Sequence, residues 1–260
     1  MKTAMITIGI TALLAAQACL GNGAHEPSQA TTNEATYAFA KAHEKPPLVT
    51  VLNENKTANV IKVALLLDTS SSMDGLINQA KTQLWELVNE LAKARCEDVA
   101  PSLNIALYEY GNSTIEANDG YIRQVSAFTE DLDDLSGALF GLTTNGGSEY
   151  CGMVIKKSIT DLDWGKRKND LNLIFIAGNE PFTQGPVHFK DAVSDAKERD
   201  ITINTIHCGD YQEGLRTDWK TSADLTNGSY TAIDHDKKTI AIATPYDDEI
   251  LIKNKALNNT

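Results

Sequence analysis

Residues 65–73, with the sequence LLLDTSSSM, change within one position from large aliphatic side chains to small oxygen donors. Asp68, Ser70 and Ser72 stand at alternate positions, so their side chains can converge on one side of an extended turn. One carboxylate and two hydroxyls are hard oxygen ligands, which suit Mg²⁺, Mn²⁺ or Ca²⁺ and not a thiophilic metal. The spacing therefore predicts a divalent-cation site in this segment.

A helix cap and a phosphatase nucleophile fit the same residues less well than a cation site does. Ser and Asp are preferred helix N-caps, but a cap needs one such residue, whereas three stand in register here. A phosphatase of the haloacid dehalogenase type needs a second aspartate two positions after the first, and Ser70 occupies that position. The sequence also contains no glycine-rich phosphate loop and no GxSxG elbow.

The elements that must position these residues alternate between strands and helices, as in a parallel α/β sheet. Residues 60–67 are nearly all aliphatic, which predicts a central strand buried on both faces. The turn at Asn118-Asp119-Gly120 predicts a hairpin, so the strand at 121–128 should run antiparallel to its neighbour at one edge. The other predicted strands cover 103–110, 171–177, 201–207 and 230–233, and the predicted helices cover 73–95, 132–142, 151–162, 187–199 and 215–225.

This order of elements predicts a single doubly wound α/β domain. Its sheet should be six-stranded and mostly parallel, with one antiparallel edge strand and helices on both faces. Open sheets of this kind bind ligands at the carboxyl ends of their strands, near the point where the strand order reverses. Asp68 follows the first, central strand and is therefore expected at that point.

The motif and its surroundings resemble the von Willebrand factor A domains, a family that carries a metal-ion-dependent adhesion site with the motif DxSxS. The resemblance extends over residues 60–233 and includes the long first helix, the early hairpin and the closing LTNGSYTAID. It implies that Ser70 and Ser72 bind the cation directly and that Asp68 acts mainly through water. It also implies that the cation binds an aspartate or glutamate of a partner protein.

The family's next ligand is a threonine in a Gly-Gly-Thr loop, and the matching segment at 143–149 reads TTNGGSE. In this alignment Ser148 corresponds to the family's threonine, and a serine hydroxyl can bind the cation as a threonine hydroxyl does. Thr143 or Thr144 replaces it if the loop register differs. Glu149 is close enough to act on the cation through water, or it caps the helix that follows.

The family's last element is an aspartate after the fourth strand, and here residues 177–181 read AGNEP, with Gly178 in its place. The loss of one carboxylate predicts a weaker cation site. Asn179 or Glu180 can supply a replacement oxygen, although an ordinary loop charge accounts for Glu180 equally well. A cation held mostly by neutral hydroxyls favours an anionic oxygen from outside, so its affinity should rise when an acidic partner binds.

The charge and the first residues indicate where the protein acts. A net charge of -12 argues against nucleic acid and against adsorption to an anionic membrane surface. Residues 1–18 have the positive start, the short apolar stretch and the Ala16-Gln17-Ala18 end of a signal peptide. Cys19 follows directly, which resembles a bacterial lipoprotein signal in which that cysteine is acylated, and plain cleavage is the alternative. We therefore expect a periplasmic or cell-envelope protein that touches a membrane only through this lipid.

Three further segments complete the predicted organisation. Residues 19–56 show no apolar period and are rich in Ala, Thr, Asn, Glu and Pro, which predicts a flexible tether. Residues 57–235 form the predicted domain. Residues 236–260 form a polar tail, in which 249–257 has the pattern of an amphipathic helix.

Two cysteines lie near the predicted site. Cys151 begins a helix beside the 143–149 loop, and Cys208 ends the fifth strand at the same edge. A disulfide between them would brace the site, and two separate buried thiols are the alternative. Cys96, at the far end of the first helix, is expected to be unpaired.

The sequence shows no Ser-His-Asp or Cys-His set with a catalytic spacing, so we predict a protein that is not an enzyme. The predicted function is a metal-dependent protein-binding module of the cell envelope, whose cation is held by Asp68, Ser70, Ser72 and Ser148. One alternative is a metal-free scaffold of the same fold, in which Gly178 marks the decay of the site. The other alternative is a metal-dependent hydrolase, although the sequence shows no recognisable general base beside the metal.

Overall fold

A computed structural model describes residues 60–94, 100–165 and 170–233. The six strands of this part are β1 Val60–Asp68, β2 Ser102–Tyr110, β3 Ile122–Thr129, β4 Leu171–Gly178, β5 Ile201–Cys208 and β6 Tyr230–Ile233. They form one sheet in the order β3-β2-β1-β4-β5-β6. β3 pairs antiparallel with β2, and the other described pairs are parallel. The predicted fold class is confirmed, including the antiparallel edge strand.

β1 is the centre of the sheet because its side chains suit burial on both faces. Residues 63–67 are all fully buried, and β1 pairs with β2 on one side and with β4 on the other. The chain therefore leaves β1 towards one edge and later returns to its opposite side. A crevice forms at such a switch point, outside the carboxyl ends of the strands. Asp68, the last residue of β1, lies there.

Six helices flank the sheet in the described residues: α1 Ile77–Ala92, α2 Leu132–Gly141, α3 Cys151–Asp161, α4 Phe189–Glu198, α5 Tyr211–Arg216 and α6 Trp219–Asp224. Apolar residues of α1 and α2 form one core with one face of the sheet. Those of α3, α4 and α6 form a second core on the other face. Because helices cover both faces of the sheet, the carboxyl ends of the strands are where we expect a ligand to bind.

The first helix begins later than its apolar period predicts. Ser71–Met73 form a short 3-10 turn, and Gly75 follows with a φ of +85°. α1 starts only at Ile77. The hydroxyl residues of the motif therefore lie in a turn before the helix, where their side chains are not committed to a helix face.

The helix predicted at 215–225 is two short helices, α5 and α6. Asp218 between them has a φ of +67°, a left-handed conformation that ends the first helix. The Asp210 side chain caps α5 by accepting a hydrogen bond from the Glu213 N–H at 2.9 Å. An apolar period that continues through the break concealed it in the sequence.

Several predicted features fall outside the described residues. These are the signal peptide at 1–18, Cys19, the tether at 19–56, Cys96 and the tail at 236–260. Of the helices that are described, none combines the length and the apolar character needed to cross a bilayer.

Candidate metal centre

Asp68 is the buried acid of the site. Its Oδ1 accepts a hydrogen bond from the Ser70 backbone N–H at 2.8 Å, whereas its Oδ2 has no hydrogen-bond partner among the described residues. Burial raises the pKa of Asp68 to about 7, and the charges of Glu149 and Glu180 act in the same direction. A buried carboxylate oxygen without a partner is costly, so this is a place where a proton or a cation would be stabilised.

The hydroxyls of the motif lie together in the turn after β1. Ser70 Oγ and Ser72 Oγ are 2.9 Å apart. The Ser72 hydroxyl donates to Asn179 Oδ1 at 3.0 Å, and Asn179 Nδ2 donates to the Ser72 backbone oxygen at 3.2 Å. The structure thus brings Asp68, Ser70 and Ser72 to one edge and places Asn179 beside them.

The 143–149 loop packs against the same edge through its backbone. The Asn145 N–H donates to the Thr69 backbone oxygen at 2.9 Å. A Cβ on Gly147 would lie 2.1 Å from the backbone oxygen of Gly111, so only glycine permits this approach. Gly147 of the predicted loop motif therefore has a physical role, because it lets the loop lie on the ends of β1 and β2.

The two candidate hydroxyls of this loop are placed differently. Thr144 donates its hydroxyl to the Asp74 carboxylate and is already paired. Ser148 is half-buried, and no hydrogen bond between described residues joins its side chain to Asp68 or Ser70. Ser148 therefore stays a predicted ligand, and Thr144 is a poorer substitute for it.

Glu149 enters the site from the start of α3 and is only 7% exposed. A Cβ on Gly111 would lie 3.0 Å from Glu149 Cγ and 2.9 Å from Asp68 Oδ1, so both side chains border the same space. Burial raises the pKa of Glu149, and hydrogen bonding with Ser70 opposes that rise. The helix-cap interpretation is wrong, because Tyr150 is the N-cap of α3 and no side chain caps it.

Gly178 faces a residue that the sequence did not single out. A Cβ at this position would lie 2.4 Å from Tyr110 Oη and 3.0 Å from Asp68 Oδ2. Tyr110 is fully buried, and its hydroxyl donates to the Ala177 backbone oxygen at 3.1 Å. The register of the sheet pairs Tyr110 with Asp68, and only knowledge of that register could have drawn attention to the tyrosine.

Glu180 lies beside the site without being buried in it. Its side chain is half-buried, and its backbone oxygen accepts a hydrogen bond from Trp219 Nε1 at 2.9 Å. Its charge raises the pKa values of both Asp68 and Glu149. Glu180 therefore contributes to the negative potential of the edge.

All of these residues lie within one recognisable sequence domain. Residues 62–230 match the family model of the von Willebrand factor type A domain. The chain belongs to this family. The matched range of the VWA domain contains the whole of the site, from Asp68 to Glu180. No curated protein sequence matches the chain.

Solved structures share the VWA fold of this chain. The VWA domain of SpRpn10 is similar with a TM-score of 0.50 at 16% identity, over 74% of this chain and 94% of that one. The pilus adhesin SpaC from Lactobacillus rhamnosus GG is similar with a TM-score of 0.50 at 11% identity, over 78% of this chain and 31% of that one. Identities this low show the fold alone.

The donor set of this VWA domain fits a hard cation held partly by hydroxyls. Within the described ranges, no three His, Cys, Asp or Glu side chains are arranged to hold a metal ion. A cation would therefore depend on the Ser70 and Ser72 oxygens as well as on Asp68. The unpaired Oδ2 of Asp68 supplies a buried negative charge that such a cation would balance.

The disulfide considered for Cys151 and Cys208 is not formed in the VWA domain. Both cysteines are free and buried. Cys151 packs in the core with α3 and α4, whereas Cys208 packs in the core with α1 on the opposite face of the sheet. The sheet separates the two thiols, because the side chain of Cys208 points away from the face that α3 covers.

Proposed function

We propose that this VWA domain is a non-enzymatic module that uses a divalent cation to bind an acidic residue of a partner protein. The observation that carries the proposal is the fully buried Asp68, whose Oδ2 has no partner among the described residues. The paired hydroxyls of Ser70 and Ser72 lie at the same edge of the sheet. A cation there would relieve the cost of the buried charge and use oxygens that are already assembled.

The residues proposed to hold the cation are Asp68, Ser70, Ser72 and Ser148, of which Asp68 would act mainly through water. When bound, the cation supplies a Lewis-acidic centre that accepts a carboxylate oxygen of the partner. Ser70 and Ser72 are neutral, so they leave much of the positive charge uncompensated and favour an anionic oxygen from outside. Oxygen donors of this kind suit Mg²⁺ first, and Mn²⁺ or Ca²⁺ as well.

The surroundings of the site support a protein as the partner. Ser71, Asp74 and Asn145 are exposed polar residues of the two segments that meet beside the buried Asp68. A polar, solvent-accessible rim is a usual feature of a protein–protein interface. A VWA-like fold also occurs in a pilus adhesin, which supports adhesion as one use of this fold.

We also propose that the protein is exported and anchored in a bacterial cell envelope. This proposal rests on the signal-like residues 1–18 and on Cys19 as the acylated residue. Residues 19–56 would then act as a tether with a reach of roughly 30–35 Å. Labelling with a radioactive fatty acid should mark the wild type but not Cys19→Ala, and equal labelling would contradict the anchor.

A metal-free scaffold is the second candidate, and one observation favours it. Ser72 donates its hydroxyl to Asn179 and lies at hydrogen-bond distance from Ser70, so these side chains can satisfy one another without a cation. Gly178 also stands where the family has an aspartate. In that case Asp68 would be protonated over much of the range below its raised pKa of about 7.

Thermal unfolding with Mg²⁺, Mn²⁺ or a chelator separates the two candidates. We expect these cations to raise the Tm of the wild type and of Asp133→Asn, an exposed control on α2, but not that of Asp68→Asn. Mn²⁺ titrations with and without acetate, a minimal partner carboxylate, should show tighter Mn²⁺ binding with acetate. If no cation shifts the wild-type Tm, the metal-dependent module is wrong and the scaffold is favoured.

A further inference from the structure

Three carboxylates are buried in the described residues, and only one of them has a basic partner there. These are Asp68, Glu109 and Glu149. Glu109 forms a close ion pair with Arg123. No Lys, Arg or His of the described ranges forms a salt bridge with Asp68 or Glu149. Two neighbouring buried acids without a positive charge are unfavourable, so a proton or a cation from outside the chain would stabilise them.

Gly111 brings these two acids together. It has a φ of +78°, and a Cβ there would lie 3.0 Å from Glu149 Cγ and 2.9 Å from Asp68 Oδ1. The same Cβ would lie 3.3 Å from Ser70 Cβ. Asp68, Ser70 and Glu149 therefore border one common space. This space lies on the side of Asp68 that faces β2.

The opposite side of Asp68 is closed to a further side chain. Tyr110 Oη would lie 2.4 Å from a Cβ on Gly178, and the hydroxyl is held there by its hydrogen bond to Ala177. Residue 178 thus has no room for a carboxylate, whatever its identity. If the site has a second carboxylate, it must come from another element.

We propose that Glu149 is the second carboxylate of the cation site and replaces the aspartate that is absent at position 178. The inference rests on the proposed function, since it assigns a ligand to the same cation. The unpaired Asp68 Oδ2, which lies on the Gly178 side of the same carboxylate, is a separate sign that Asp68 lacks a compensating partner among the described residues. Asp68 and Glu149 together would give the site two carboxylates, so the site is rebuilt with a residue of the 143–149 loop and is not decayed.

Glu180 provides a matched control for this role. Its charge acts on Asp68 and on Glu149, but its side chain is half-buried and its backbone is held by Trp219. Neutralising Glu180 removes one negative charge from the edge and keeps both carboxylates of the Asp68–Glu149 pair. Comparing variants of Glu149 and Glu180 therefore separates the loss of a cation ligand from the loss of a nearby negative charge.

Mn²⁺ binding by the whole chain, measured by isothermal titration calorimetry, tests the proposal. We expect Glu149→Gln to weaken Mn²⁺ binding by roughly tenfold or more, as removal of a group that holds a metal does. Glu180→Gln should weaken it only slightly, and Asp68→Asn should abolish it. Glu149→Asp, which keeps the charge on a shorter side chain, should fall between the wild type and Glu149→Gln.

Unfolding in chelator shows whether the variants are folded. Glu149→Gln removes a buried acid that has no basic partner among the described residues, so its Tm without metal should equal or exceed that of the wild type. Equal losses of Mn²⁺ affinity in Glu149→Gln and Glu180→Gln would overturn the proposal, because they would show a general charge effect. Unchanged binding by Glu149→Gln with loss in Asp68→Asn would overturn this inference alone. A wild type that binds no Mn²⁺ would overturn the proposed function as well.

Discussion

Tyr110 and Gly178 share one space at the carboxyl edge of the sheet. The hydroxyl oxygen of Tyr110 lies 2.4 Å from the position that a Cβ of residue 178 would take, and it donates to the Ala177 backbone oxygen at 3.1 Å. The tyrosine is fully buried, so it cannot move aside into solvent. Gly178, where the resemblance predicts an aspartate, is therefore matched to Tyr110 by the space that the two residues share.

The pair predicts a specific coupling in stability. Gly178→Ala should lower the free energy of unfolding by about 1–3 kcal/mol, because the new methyl group overlaps the Tyr110 hydroxyl in a packed core. Tyr110→Phe alone should cost about 1 kcal/mol through the lost hydrogen bond to Ala177. Gly178→Ala should lower the free energy of unfolding clearly less in the Tyr110→Phe background than in the wild type, because the overlapping hydroxyl is gone. Urea unfolding in chelator measures all three, and strictly additive losses would contradict the shared space.

Gly111 predicts a second effect that separates backbone strain from damage to the site. Gly111→Ala and Gly120→Ala both place alanine at a positive φ, +78° and +70°. Each should therefore cost about 1–2 kcal/mol of stability. At Gly120 the new Cβ meets chiefly the flexible end of Met153, whereas at Gly111 it meets Asp68 and Glu149.

Mn²⁺ titration should therefore show lost binding in Gly111→Ala and retained binding in Gly120→Ala. Urea unfolding of both variants checks that their stabilities fall by similar amounts. Retained Mn²⁺ binding in a folded Gly111→Ala would show that the space beside Asp68 is not part of the cation site.

The buried Asp68 predicts the pH dependence of stability without metal. Its pKa is about 7 in the folded chain against 3.8 for a free side chain, so the folded state holds its proton more tightly. The stability that this proton contributes is fully present below pH 3.8 and is lost as the pH rises through about 7. Relative to Asp68→Asn, the wild type in chelator should therefore become less stable across this window.

Urea unfolding of both proteins at a series of pH values measures this difference. Saturating Mg²⁺ should reduce the loss, since the cation replaces the proton as the partner of the carboxylate. A difference that does not change with pH would mean that Asp68 is already compensated in the folded chain.

The sequence was sufficient for the sheet because burial on both faces leaves a strong pattern. Residues 63–67 are uniformly aliphatic and lie at the centre of the sheet as predicted. The turn at Asp119-Gly120 likewise predicted the antiparallel β3. The division between α5 and α6 was missed because it depends on one left-handed residue, Asp218, within a continuous apolar period.

The site was predictable only where its residues are close in sequence. Asp68, Ser70 and Ser72 lie in one turn, so their proximity followed from their spacing. The places of Tyr110 and Glu149 depend on strand register and on the close approach of the 143–149 loop to the end of β2, which no local pattern encodes. The prediction of a disulfide between Cys151 and Cys208 was wrong for the same reason. The sheet determines the face to which Cys208 points, and the position of Cys208 in the chain does not.

Anomalous scattering from crystals grown with Mn²⁺ tests most directly whether a cation binds at Asp68. We predict one anomalous peak at the carboxyl edge of the sheet, beside the Asp68 carboxylate and within coordination distance of the Ser70 and Ser72 oxygens, and its absence from crystals of Asp68→Asn. A well-ordered wild-type site that shows no peak in Mn²⁺, with Ser72 still bonded to Asn179, would contradict the proposed cation site.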